Sequence, residues 1–151
     1  MTIIGDSYTA LVNIVKNTLT GWYRLTDPND ISNNFDAFLR QGWSLIADSS
    51  QNVDRYLCSI STWNRTYMLT ISVEAFGTNS DDDLYDDSVK KLLEAINSVC
   101  IAIESDQTIA VSGGNVIARV RNDNGVLPVS RDDKKFIMCE LKIDVETRIS
   151  F

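Results

Sequence analysis

Histidine is absent from the 151 residues. That absence removes Ser-His-Asp and Cys-His nucleophilic sites, His-ligated metals and the commonest general base. Chemistry built on carboxylates, Tyr or Lys survives the exclusion, but the composition argues against an enzyme, and no metal or cofactor is expected. Cysteine is scarce: Cys58, Cys100 and Cys139 lie in apolar-patterned segments without Cys-x-x-Cys spacing and read as reduced structural thiols. No apolar run approaches the ~20 residues that span a bilayer. The start, Met1-Thr2-Ile3-Ile4-Gly5-Asp6, lacks the basic stretch and cleavage site of a signal peptide, so a protein left where it was made is expected, and the Asn64-Arg65-Thr66 glycosylation triplet reads as chance.

A basic excess is missing too. The net charge is −7, divided into −2 over residues 1–75 and −5 over 76–151. Affinity for a phosphate backbone comes largely from Lys and Arg displacing counterions, so this surface is suited to letting nucleic acid pass rather than gripping it. With 44% hydrophobic residues the chain can build one ordinary core, and a single domain over 1–151 is expected.

What is present is pattern. Ser7 is placed as an N-cap, and Tyr8, Leu11, Val12, Val15 and Leu19 recur at the spacing of an amphipathic helix ending before Gly21. The Pro, Asn and Asp residues of Asp27 to Asn34 suggest a long loop, anchored by one turn carrying Phe35, Phe38 and Leu39. A short strand over Trp43 to Ala47, a polar tip at Asp48 to Asn52 and strands over Arg55–Trp63 and Thr66–Glu74, interrupted at Asn64, follow. A second helix is predicted to bury Tyr85, Val89, Leu92, Leu93, Ile96, Val99, Cys100 and Ile103. On that face Leu93→Ala would cost about 2–5 kcal/mol. Thr108–Val111 and Val116–Arg121 form a hairpin about Gly113-Gly114, and Pro128 marks an edge segment after the Asn124-Gly125 turn. This order predicts an α+β fold: a mainly antiparallel sheet with two helices packed on one face.

The last residues, Phe136 to Phe151, alternate apolar and polar along one strand of roughly 50 Å. Such a strand overshoots a body whose radius of gyration is roughly 15 Å. It must therefore curl, break at a bulge or project its end onto another subunit, and its distal half, from Asp144 through Glu146 and Arg148 to Phe151, is expected to contact a neighbouring copy.

Two charged groups invite a functional reading. Asp81, Asp82, Asp83, Asp86 and Asp87 precede or open the second helix, where carboxylates complement the helix dipole. That solvated helix start is the plainer reading, and a subunit contact the sharper one; the spacing is not that of a calcium loop. Arg119, Arg121, Arg131, Lys134 and Lys135 concentrate positive charge in the same half. Opposite patches on one chain allow head-to-tail assembly around a ring. The candidate interface residues are thus Asp81, Asp82, Asp83, Arg119, Arg121, Asp144, Glu146, Arg148 and Phe151.

The segment Asn33-Asn34-Phe35-Asp36-Ala37-Phe38-Leu39-Arg40-Gln41-Gly42-Trp43-Ser44-Leu45, followed by the strands of Arg55 and Arg65 and the helix with Lys90-Lys91-Leu92-Leu93-Glu94, resembles tailed-bacteriophage tail terminator (tail completion) and neck proteins. The resemblance covers residues 7–104. It implies a small α+β subunit of a ring, usually a hexamer, that caps the tail tube and meets the head connector, with DNA passing through the lumen. The expected partners are copies of itself, tail-tube and head-connector proteins, and the expected location is the virion, assembled in the host cytoplasm. No catalytic residue carries over. A tail-tube or head-closure subunit is the nearest alternative, and a small acidic cytoplasmic binding domain or carboxylate-based enzyme the alternative of another class.

Overall fold

The computed structural model describes residues 3–26, 33–56, 60–75, 82–105, 108–111, 114–131 and 134–150. Among the described residues three helices, α1 (Ile3–Thr18), α2 (Asn33–Gln41) and α3 (Asp82–Ser105), accompany seven strands. These are β1 (Tyr23–Arg24), β2 (Gly42–Tyr56), β3 (Ile60–Glu74), β4 (Thr108–Val111), β5 (Gly114–Asp123), β6 (Leu127–Arg131) and β7 (Lys134–Ser150). The sheet runs β1-β2-β3-β7-β5-β4, with β6 alongside β7. Every pairing is antiparallel except the two-residue β1–β2 contact. The class is α+β, as the pattern predicts.

Alternation along β3 and β7 divides the core. Tyr67, Leu69, Ile71 and Val73 join Ile137, Cys139, Leu141, Ile143 and Val145 in one apolar cluster. α1 adds Leu11, Val12 and Val15 to it, Leu19 follows just after the helix, and α3 adds Leu92, Ala95, Ile96, Val99 and Ile103. Phe136 belongs to a second cluster with Leu25, Phe38 and Leu39, against which Met138 packs. Because Phe136 and Met138 alternate with Ile137 and Cys139, α2 covers the opposite side of the sheet. The buried Ser72 hydroxyl fixes it there by donating to the Leu39 carbonyl at 2.9 Å.

α2 corrects the two-helix expectation. The nine residues Asn33–Gln41 are helical, not a loop with one anchoring turn. Phe35, Phe38 and Leu39 stand at i, i+3 and i+4, and Asp36 in the first turn and Arg40 in the last complement the dipole. Asp27 to Ser32 of the expected loop lie outside the described residues. The chain leaves α2 directly into β2 at Gly42, where a Cβ would lie 2.6 Å from Phe38 Cα and 2.8 Å from the Tyr23 carbonyl oxygen. Only glycine permits that approach. Ser7 is also not a cap: α1 starts at Ile3, and the buried Ser7 side chain hydrogen-bonds the Tyr67 phenol.

The polar stretch Asp48 to Asn52 continues β2 instead of forming a tip. Asn64 does not interrupt β3, since it pairs with both Gln51 and Glu146. Register shifts between Ala47 and Ser50 and between Asn52 and Asp54 absorb residues that fit a regular ladder poorly. Residues 57–59, between β2 and β3, lie outside the described residues. Local turn propensity yields here to pairing along a whole strand.

The final strand is paired within the subunit, which removes the unpaired edge as the ground for its expected contact with a neighbouring copy. It does not depend on another copy for pairing: β3 accompanies it from Glu74↔Phe136 to Ile60↔Ser150. β5 flanks its other side over Leu141 to Glu146, and β6 over Lys134 to Met138. Three strands of comparable length run together, so the length that suggested an exposed end is shared within the subunit.

On α3 the inward face is rotated from the one predicted. Leu92, Val99 and Ile103 are inaccessible, whereas Leu93 is 49% exposed and Tyr85 is exposed with it. Adjacent leucines diverge by about 100° on a 3.6-residue turn, so only one can face the sheet. Leu92→Ala should cost about 2–5 kcal/mol in denaturant unfolding, while Leu93→Ala should stay within about 0.5 kcal/mol. Gly42→Ala should destabilise by about 1–3 kcal/mol, because the new methyl meets backbone that cannot yield.

Candidate functional site

Beyond α2, the side of the sheet that carries Phe136 and Met138 continues as a polar surface. Its centre is a cross-strand row over β3, β7 and β5, in which Thr66 pairs with Asp144 and Asp144 with Arg119. The register shift between Val120 and Asn122 leaves Arg121 without a cross-strand counterpart beside Asp144. Its guanidinium donates Nε to Asp144 Oδ2 at 2.7 Å and Nη2 to Asp144 Oδ1 at 2.6 Å. Nη2 also donates to the Thr66 hydroxyl at 3.0 Å, and that hydroxyl donates to Asp144 Oδ1 at 2.9 Å. The bidentate carboxylate raises the Arg121 pKa above its ordinary value, through hydrogen bonding first and opposite charge second. On the other side of the bulge, the Val120 amide donates to Glu104 Oε1 of α3 at 2.9 Å.

Next to this network, Asn64, Ile117, Arg119, Asp144 and Glu146 line an open cleft of about 190 Å³. Arg119 is exposed, and no ion pair holds it among the described residues. The other expected cations do not join it in one patch. Arg121 is engaged by Asp144, and Arg131 pairs with Asp36 at 3.5 Å while stacking on Phe35 at 4.8 Å. Lys134 and Lys135 begin β7 at the end remote from Asp144, opposite Arg131 and Ser130.

The remaining predicted residues are dispersed. Asp82 and Asp83 open α3, and Asp86 and Asp87 are exposed in its next turn. Arg148 is paired in register with Thr62, and Asp81 and Phe151 lie outside the described residues. The sequence pattern brought out Arg119, Arg121, Asp144 and Glu146 but missed Thr66, Asn64 and Ile117. Those three reach the site through strand register, which links positions about 80 and 30 residues from β7 and leaves no local signal.

Among the described residues, no group of three or more His, Cys, Asp or Glu side chains could hold a metal ion. No described helix is long and apolar enough to cross a membrane. The thiols are poor nucleophiles: burial, followed by the Asp123 charge, pushes Cys139 up to about 11 and also raises Cys100. Cys58 lies outside the described residues.

No protein-family model matches the sequence, and no curated protein matches it. The fold is similar to that of a solved chain described as "Virion of native gene transfer agent (GTA) particle". The TM-score is 0.54 at 10% identity, over 97% of this chain and 98% of that one.

Between the ordinary thiol value of 9.0 and the raised value of about 11, the unfolded chain has lost a Cys139 proton that the folded chain retains. Stability contributed by this group is therefore complete below the lower value and falls as pH rises through the window. Urea midpoints measured on either side of it should decline less in Cys139→Ala than in the parent chain, and an equal decline would refute the assignment.

Proposed function

We propose that this chain is a non-catalytic structural subunit of a phage-like virion particle, and within it a ring-forming tail terminator or neck component. The observation that carries the reading is a fold shared over nearly the full length of both chains with a component of a gene transfer agent virion. The order of the Asn33 to Leu45 segment, now the α2–β2 corner, supports the narrower position, as does a net charge of −7 with no histidine in the sequence. In this reading copies of the chain form a ring, usually a hexamer, at the head-proximal end of the tail tube. One face meets the tube and the other the head connector, and the particle forms in the host cytoplasm.

An acidic ring suits that position physically. DNA crossing a negatively charged lumen is repelled from the wall, so it is not retained by the counterion release that holds it on basic surfaces. The assembly motive no longer rests on an unpaired terminal strand. It rests on exposed charged groups that have no ion pair among the described residues: Arg119 on β5, and Asp86 and Asp87 on α3.

Antibody labelling of purified particles, read by electron microscopy, should place the protein at the junction of tail and head. Label spread along the tube would assign a tube subunit, label on detached heads a head-closure subunit, and no label on particles would refute the virion role.

A further inference from the structure

We propose that the β5–β7 cleft of one subunit receives the outer face of α3 from a second copy, with Arg119 set against Asp86 and Asp87. The proposal rests on the ring reading and names its contact.

Arg119 stands across the ladder from Asp144, but that carboxylate already accepts from Arg121 and Thr66. The cleft it lines adds the Asn64 amide, the half-buried apolar Ile117 and the Glu146 carboxylate, which is engaged within the subunit. This surface suits a carboxylate carried beside an apolar side chain. α3 offers that pairing: Asp86 and Asp87 are exposed with no ion pair among the described residues, next to Tyr85 at 41% exposure, with Leu93 at 49% two turns on. The inward face of α3 is already complete without them, through Leu92, Ala95, Ile96, Val99 and Ile103. A partly apolar outer face on an otherwise packed helix is the kind of surface that interfaces bury, with aromatic side chains as frequent anchors.

The two surfaces cannot meet within one chain. Lys91 of α3 donates to Gln41 Oε1, beside the start of β2, at 2.5 Å, whereas Glu104 near the other end accepts from Val120 of β5. α3 therefore crosses from the β2 side to the β5 side, over the face that carries Leu69 and Leu141. Tyr85 to Asp87 lie at its β2-side end, and Arg119 lies on β5 on the opposite face. β3 and β7 separate them in the sheet. Complementary patches at opposite edges make a heterologous contact, which closes into a ring when its rotation permits.

Sedimentation of the full chain at low ionic strength tests the contact. Arg119→Glu and the pair Asp86→Lys, Asp87→Lys should each weaken self-association about tenfold or more, through like-charge opposition. Combining all three changes should restore it to within about threefold of the parent, because the charges are exchanged across the same pair of surfaces. Circular dichroism should be unchanged, as all three positions are exposed. An Arg119→Glu chain that associates like the parent, or a combined variant no better than its components, overturns the contact while leaving junction labelling, and hence the ring, intact. A parent chain still monomeric at about 1 mM, where free energies of only about 4 kcal/mol are detected, overturns the contact as a driving force for the ring.

Discussion

The pairing of β3 with β7 is the constraint on which the rest of the structure depends. It runs without a register shift from Ile60↔Ser150 to Glu74↔Phe136 and joins segments some 70 residues apart. A slip of one position would send Leu69, Ile71, Leu141 and Ile143 to the wet side, so the burial of these side chains fixes the register. α1 and α3 then cover one side at its centre, and α2 closes the other side at one end through Phe38, Leu39 and Phe136. β2 and β5 attach to the outer edges of this pair and carry the irregularities, with bulges after Ala47, Asn52 and Val120.

The bulge in β5 connects packing to surface chemistry. It frees a backbone amide, which Glu104 accepts from α3, and it sets Arg121 beside Asp144 and not opposite Lys142. One irregular residue thus consumes one cation and one anion of the polar face. Among the described residues it leaves Arg119 without an ion pair on β5, as Asp86 and Asp87 are on α3. Among the described residues two ion pairs, Arg121 with Asp144 and Arg131 with Asp36, are made inside the subunit, while Arg119, Asp86 and Asp87 stay available to a partner.

Burial holds the Cys139 and Cys100 thiols protonated, so both serve packing. A structural role is also consistent with how function was legible. The Asn33 to Leu45 corner pointed toward virion proteins, and the fold likeness is to a virion chain, but neither depends on a side-chain constellation. Gly42 gives that corner its physical meaning, since α2 turns into β2 where no Cβ fits.

Periodicity by itself determined α1, α3, the β4–β5 hairpin, the Pro128 edge and the alternating β7, because each records burial of one face in neighbouring residues. The same alternation sets Leu69, Ile71, Leu141 and Ile143 each on one face of its strand, and that face is the buried one. Tertiary structure alone decided the rest. Whether Leu92 or Leu93 faces the sheet depends on how α3 is rotated against it, which a helix with apolar residues at both positions does not specify. Whether Asp48 to Asn52 turns or extends depends on a partner strand that lies beyond Tyr56. Whether a charge is spent or available depends on cross-strand register: Arg119 and Arg121 are alike in sequence, and only the bulge between Val120 and Asn122 gives Asp144 to one of them.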